Sequence, residues 1–127
     1  MSVEDYRALV EHPRSKYGNR RVELDGYTFD SKAEAAHYLH LKDEVQRGNI
    51  KRLRVHPRYV LQDPFRRNGK QVRAIEYVGD FEYIDSAGRV IVEDVKGGKA
   101  TMTQVFRVKQ KMFWKGYPNV VFRIVER

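Results

Sequence analysis

The chain has 127 residues, 41% of them hydrophobic, which is enough for one compact domain with its own core and too little for two. Its 25 Lys and Arg outnumber its 17 Asp and Glu, leaving a formal charge of +8, so polyanions are the natural class of partner. The absence of Cys excludes disulfides, thiolate zinc sites and cysteine nucleophiles. No apolar run reaches the ~20 residues of a membrane span, and the opening MSVEDYRALVEH has no signal-peptide core; a cytoplasmic protein is expected.

In chain order, Ser2 can cap a short helix through Val10, and HPRSKYGNR then reads as a basic loop. Arg21 to Leu24 and Tyr27 to Phe29 flank Asp25-Gly26, a dipeptide that tolerates the positive φ angles of a tight hairpin. Asp30 or Ser31 caps a helix over KAEAAHYLHLKDEVQR, which stops at Gly48-Asn49. Three strand-like runs follow: Ile50 to Leu61, Val72 to Ile84 and Arg89 to Lys96. The first two are joined around Asn68-Gly69 and the last two around DSAG. A second helix is predicted from about Thr103 to Lys115, ended by Gly116 and Pro118, with the β-branched run Val120 to Val125 after it. The result is a single α/β domain: residues 1–29 form an extension and hairpin, and residues 30–127 form an α-β-β-β-α-β core.

Charged groups sit where this pattern expects interior. In RVIVEDVK, alternation puts Val90, Val92, Asp94 and Lys96 on one face and Ile91, Glu93 and Val95 on the other. In IEYVGDFEYI, Val78, Asp80, Glu82 and Ile84 share a face, opposite Ile75, Tyr77, Phe81 and Tyr83. A three-residue loop in Asp85-Ser86-Ala87-Gly88 pairs Asp85 with Arg89 and hence Asp80 with Asp94; a two-residue loop pairs Asp80 with Glu93. Acids facing each other across strands repel unless a cation lies between them. Glu34 continues the stripe of Tyr38, Leu41 and Val45 toward the sheet, although Ser31-x-x-Glu34 also fits a capping box. Lys109 lies on an arc with Val105, Phe106, Met112 and Phe113 and either points inward or snorkels to solvent. His37 and His40, three apart on the first helix, could share a metal but lack a third ligand and read as bystanders.

Carboxylates at Asp80, Asp94 and Glu34, with the backbone carbonyl of Val95, form a hard-oxygen set suited to Mg²⁺. A bound cation would lower the pKa of its water and polarise a phosphoryl oxygen. Lys96 beside it would orient the attacking water or stabilise charge on phosphate. The chemistry such a set serves is phosphodiester hydrolysis.

Through the segments FDSKAEAAHYL, YVGDFEYI, VIVEDVKG and FRVKQKMFWKGYP, the sequence resembles the PD-(D/E)XK nuclease superfamily from about Asp30 to Val125. Asp80 matches the first acid and Asp94-Val95-Lys96 the second half-motif. More closely, it is similar to small phage endonucleases related to Holliday junction resolvases. The resemblance implies a restriction-endonuclease-like fold with a central mixed sheet flanked by helices, Mg²⁺-dependent DNA cleavage with Mn²⁺ able to substitute, and a homodimer acting on branched or four-way DNA in the host cytoplasm. It implies a catalytic role for Glu34 and a helper role for Lys109. Gly79 stands where the motif has Pro, and Glu93 beside Asp94 leaves two candidates for the second metal ligand. Related readings are a nuclease acting on flaps, ends or single strands, and an inactive DNA-binding module of the same fold.

DNA would meet basic residues at Arg14, Lys16, Arg20 and Arg21 before the first helix, at Arg66, Arg67 and Lys70 around Asn68-Gly69, and at Lys99 in KGGKATMT. These suit phosphate contacts rather than base readout.

Overall fold

The computed structural model describes residues 21–97 and 102–127; the predicted helix from Ser2 to Val10 lies outside them. Strand β1 (Val22–Leu24) turns into β2 (Tyr27–Phe29) through Asp25 and Gly26, whose φ angles of 53° and 83° are the positive values a two-residue hairpin requires. Helix α1 (Lys32–Gln46) starts where Ser31 Oγ accepts the Glu34 backbone N–H at 3.1 Å. It ends as Gly48 takes a φ of 78°. Its buried residues are Glu34, Ala35, His37, Tyr38 and Leu41, whereas Val45 is 38% exposed. The expected stripe is therefore corrected: it ends at Leu41 rather than Val45, and His37 joins its covered N-terminal part. Helical spacing sets the direction of the stripe, but packing against the sheet decides which turns are covered.

Two of the three predicted strands are each broken into two, and the breaks face each other. The first gives β3 (Lys51–Val55) and β4 (Arg58–Gln62), interrupted at His56-Pro57, where proline has no N–H for the ladder and His56 adopts a φ of 54°. The chain turns at Asn68 and Gly69 as expected, but the connection around that turn forms its own hairpin rather than a loop, β5 (Phe65–Arg67) with β6 (Lys70–Val72). The second break separates β7 (Ile75–Val78) from β8 (Phe81–Ile84) at Gly79-Asp80. Two backbone hydrogen bonds lace the breaks together: His56 N–H to the Asp80 carbonyl at 3.0 Å, and Gly79 N–H to the Pro57 carbonyl at 2.9 Å. Beyond them β4 pairs with β7 as a separate ribbon, while β3 and β8 join β9 (Val90–Lys96) and β10 (Val121–Glu126) in a four-stranded sheet of order β10-β9-β8-β3.

This kink overturns the expectation that Tyr77 and Phe81 share a face. Tyr77 packs with Tyr59, Val92 and Phe113, whereas Phe81 packs with Phe29, Tyr38, Leu41 and Ile91. Strand β9 keeps the expected alternation: Ile91 enters the core under α1, and Val92 enters the core under α2 (Gln104–Gly116). A helix thus covers each face of a mixed sheet, in which β10 runs parallel to β9 and the other pairings are antiparallel. The β8–β9 register pairs Phe81 with Glu93 and Ile84 with Val90, and Asp85 N–H bonds the Arg89 carbonyl at 3.0 Å. That is the register expected from the three-residue loop, and it sets Asp80 and Asp94 at the next position along. The α-β-β-β-α-β order is present with its first two core strands kinked. No helix among the described residues is long and apolar enough to cross a membrane.

Candidate active site

Asp80 sits at the kink, where its Oδ2 accepts the Val95 backbone N–H at 2.6 Å. The first turn of α1 brings Glu34 to the same place, only 6% exposed, with Oε1 2.8 Å from His56 Nε2. Ligand-capable atoms of Glu34, His56 and Asp80 all lie within 4.8 Å of one another. Burial, then the charge of Glu34, pushes the Asp80 carboxyl up to about 8, against the opposing pull of the Val95 amide and Lys96. Burial likewise raises Glu34, despite its bond to His56. At the helix start Ser31 Oγ accepts the Glu34 N–H, and the Glu34 carboxylate both bonds the Asp30 backbone N–H, as the capping reading allowed, and reaches across to His56.

Asp94 is buried beside this group, with Tyr77 donating its hydroxyl to Oδ2 at 2.7 Å and Lys96 Nζ 2.9 Å from Oδ1. Burial and the adjacent Asp94 charge raise the Tyr77 hydroxyl far above its ordinary range, so it remains a donor. The Lys96 ammonium also lies 4.1 Å from the Phe106 ring centroid, a cation–π contact that restrains it further. Helix α1 thus sets Glu34, and strand β9 sets Asp94 and Lys96, close enough to Asp80 to act on its charge. His56 is the member that sequence reasoning missed. Its signal was Pro57, which interrupts a strand-like run and marks a kink. Gly79 has a packing reason: a Cβ there would meet Val92 Cγ1 at 3.1 Å, Tyr77 at 3.3 Å and Pro57 at 3.4 Å.

Glu93 faces the other way. It accepts from Tyr83 Oη at 2.8 Å, lies 2.6 Å from His37 Nε2, and has Arg123 at 3.5 Å. Arg127 Nε donates to His37 Nδ1 at 2.9 Å, which puts the proton of that ring on Nε2, pointing at Glu93. Burial alone would raise Glu93, but the hydrogen bonds from His37 and Tyr83 outweigh it and hold the carboxyl below its ordinary range. With both its nitrogens engaged, His37 has none left for a metal shared with exposed His40.

Lys109 is half-buried on α2 and makes no hydrogen bond or ion pair among the described residues. The arc predicted around it is corrected at Val105, which is 65% exposed; Phe106 and Phe113 are its inward members. Arg66, Arg67 and Lys70 are exposed on the β5–β6 hairpin, and Arg66 bonds the Gly69 carbonyl at 3.1 Å. Arg21 is exposed ahead of β1. Arg14, Lys16, Arg20 and Lys99 lie outside the described residues.

A family model described as a protein of unknown function (DUF1064) matches residues 14–127, and the chain belongs to that family. No curated protein and no solved structure matches it significantly.

Proposed function

We propose that this protein is a metal-dependent endonuclease of restriction-endonuclease-like fold that hydrolyses DNA phosphodiester bonds and selects DNA by its structure, in the manner of a phage Holliday junction resolvase. The observation that carries this reading is the convergence of three buried or half-buried carboxyls, from Glu34, Asp80 and Asp94, with the Lys96 ammonium at a strand kink. A divalent cation fits this donor set: an acid pushed up to about 8 by burial and by a neighbouring carboxylate lacks the counter-charge that a cation supplies. When bound, Mg²⁺, with Mn²⁺ able to replace it, would polarise a phosphoryl oxygen and acidify a coordinated water.

The remaining chemistry belongs to the chain. Glu34 and Asp80 would hold the cation, and Asp94 beside them would add negative charge to the site. Lys96, fixed between Asp94 and the Phe106 ring, presents a positive charge where negative charge gathers on the scissile phosphate. Tyr77 keeps the Asp94 carboxylate in place. Arg66, Arg67 and Lys70 supply phosphate contacts on a hairpin with no acidic residue from Phe65 to Val72. A homodimer acting in the host cytoplasm belongs to the same reading, because a four-way junction requires two symmetric cuts.

The test is cleavage of four-way, flap, duplex and single-stranded DNA with Mg²⁺ or EDTA, beside an Asp80→Asn control. Metal-dependent cutting of branched DNA supports the proposal. Preference for flaps, ends or single strands would move the substrate while keeping the chemistry, and binding without cutting by folded, metal-loaded protein would refute enzymatic function.

A further inference from the structure

We infer that His56 is a direct ligand in the candidate metal centre, and that this imidazole tunes the site toward Mn²⁺ over Mg²⁺. The inference rests on the divalent-cation part of the reading above and deepens it. Asp94, the expected second ligand, has both oxygens engaged, one by the Tyr77 hydroxyl and the other by the Lys96 ammonium. The donor atoms within mutual reach come instead from Glu34, Asp80 and His56. Asp80 uses Oδ2 on the Val95 amide, and Oδ1 has no hydrogen-bond partner among the described residues.

His56 is held in place by the fold. Its backbone N–H is tied to the Asp80 carbonyl, so imidazole and carboxylate are positioned by the same crossing of two chain segments. Its ring centroid lies 5.8 Å from that of buried Phe29, while its side chain keeps 37% of its surface open to solvent, a route by which a cation can arrive. With Nε2 2.8 Å from Glu34, the imidazole and carboxylate now satisfy each other where a cation would sit between them. Mg²⁺ takes oxygen donors and dehydrates reluctantly, whereas an imidazole nitrogen is a favourable donor to d-block ions. Of the two ions, two carboxylates and one imidazole therefore favour Mn²⁺ over Mg²⁺.

The test uses the full chain labelled with ¹⁵N-histidine and loaded with Mn²⁺ in the absence of DNA. Pulsed electron paramagnetic resonance should show coupling to a histidine nitrogen. His56→Asn should abolish it and weaken Mn²⁺ binding by about tenfold or more, with a smaller loss for Mg²⁺. Asn is chosen because it tolerates the left-handed backbone at this position. Should that variant lose the wild-type circular dichroism spectrum, Mn²⁺ broadening of the wild-type histidine ring signals decides. His56 broadened ahead of His37 supports the assignment, and equal broadening overturns it. Absence of nitrogen coupling in folded, Mn²⁺-loaded wild type also overturns it, even if that protein cuts DNA. Coupling at His56 without any DNA cleavage leaves the ligand in place and removes the nuclease.

Discussion

Replacing Asp80 with Asn separates catalysis from stability in one variant. The metal-free protein folds with a carboxyl pushed up to about 8, against an unfolded value near 3.9. At about 1.36 kcal/mol per pKa unit, that corresponds to roughly 5 kcal/mol of native-state penalty near pH 8, the ceiling on what the substitution can return. Because the folded pKa is raised, the native state binds the proton more tightly than the unfolded chain. Wild-type stability in EDTA should therefore fall as pH rises from near 4 to about 8 and then level off. The amide oxygen of Asn can still accept the Val95 N–H, and losing the charge removes the repulsion between Asp80 and Glu34. Asp80→Asn should be more stable in EDTA at pH 8 by about 2 kcal/mol or more, raising Tm by roughly 8 °C, with a flatter pH profile. Added Mg²⁺ or Mn²⁺ should stabilise wild type more than the variant. Thermal melts across pH, with and without metal, read all of this, and a cleavage assay should find the variant inactive while still binding DNA. A folded variant that melts below wild type in EDTA at pH 8, or a flat wild-type profile from pH 5 to 8, would refute the electrostatic reasoning; wild-type cutting by the variant would remove Asp80 from the site.

Lys96→Gln should slow cleavage by about 10²-fold or more in single-turnover assays, since it removes the cation placed to meet phosphate charge; a loss below threefold would contradict that role. Glu93→Gln should cost about 1–3 kcal/mol in urea melts yet retain cutting, whereas Asp94→Asn should abolish it. Because the Glu93 carboxyl is held low, its contribution is present above the ordinary carboxylate range and is lost as pH falls through the folded value, so Glu93→Gln should flatten the acid limb. Lys109→Met should reduce cleavage while leaving the melting temperature near wild type, and undiminished activity would return Lys109 to solvent. Binding to branched DNA should weaken linearly in log K against log salt, and neutralising Arg66, Arg67 and Lys70 should shallow the slope by ~0.9 for each phosphate they no longer neutralise; an unchanged slope would remove this hairpin from the interface.

Local chemistry made much of the architecture legible. Asp25-Gly26 and Asn68-Gly69 each supply two adjacent positions that tolerate positive φ, so both turns could be read from a dipeptide, although only the first could be read with its flanking strands. Ser31, Gly48 and the alternation of RVIVEDVK announced α1 and the central strand in the same way. The Asp85-to-Gly88 turn carried more, because its loop length sets the register that brings Asp80 level with Asp94. Periodicity misled where a strand changed sheets: alternation across residues 75 to 84 assumes one pleat, and the kink at Gly79-Asp80 sends Tyr77 and Phe81 into different cores.

By itself, then, the sequence determined the two helices, the order of the main strand runs and the acids that terminate the central strand, and it narrowed the β8–β9 register to two choices, since each follows from φ preferences, turn length or a period of two or 3.6 along neighbouring residues. Only the tertiary structure decided which buried charges meet. Glu93 and Asp94 are adjacent in the chain, but one is bound by His37 and Tyr83 and the other by Tyr77 and Lys96, because successive strand residues face opposite helices. His56 reaches Glu34 and Asp80 because two distant breaks, at His56-Pro57 and at Gly79-Asp80, hydrogen-bond to each other. A contact between segments more than twenty residues apart depends on how the sheets bend around a shared core, and no local spacing encodes that bend.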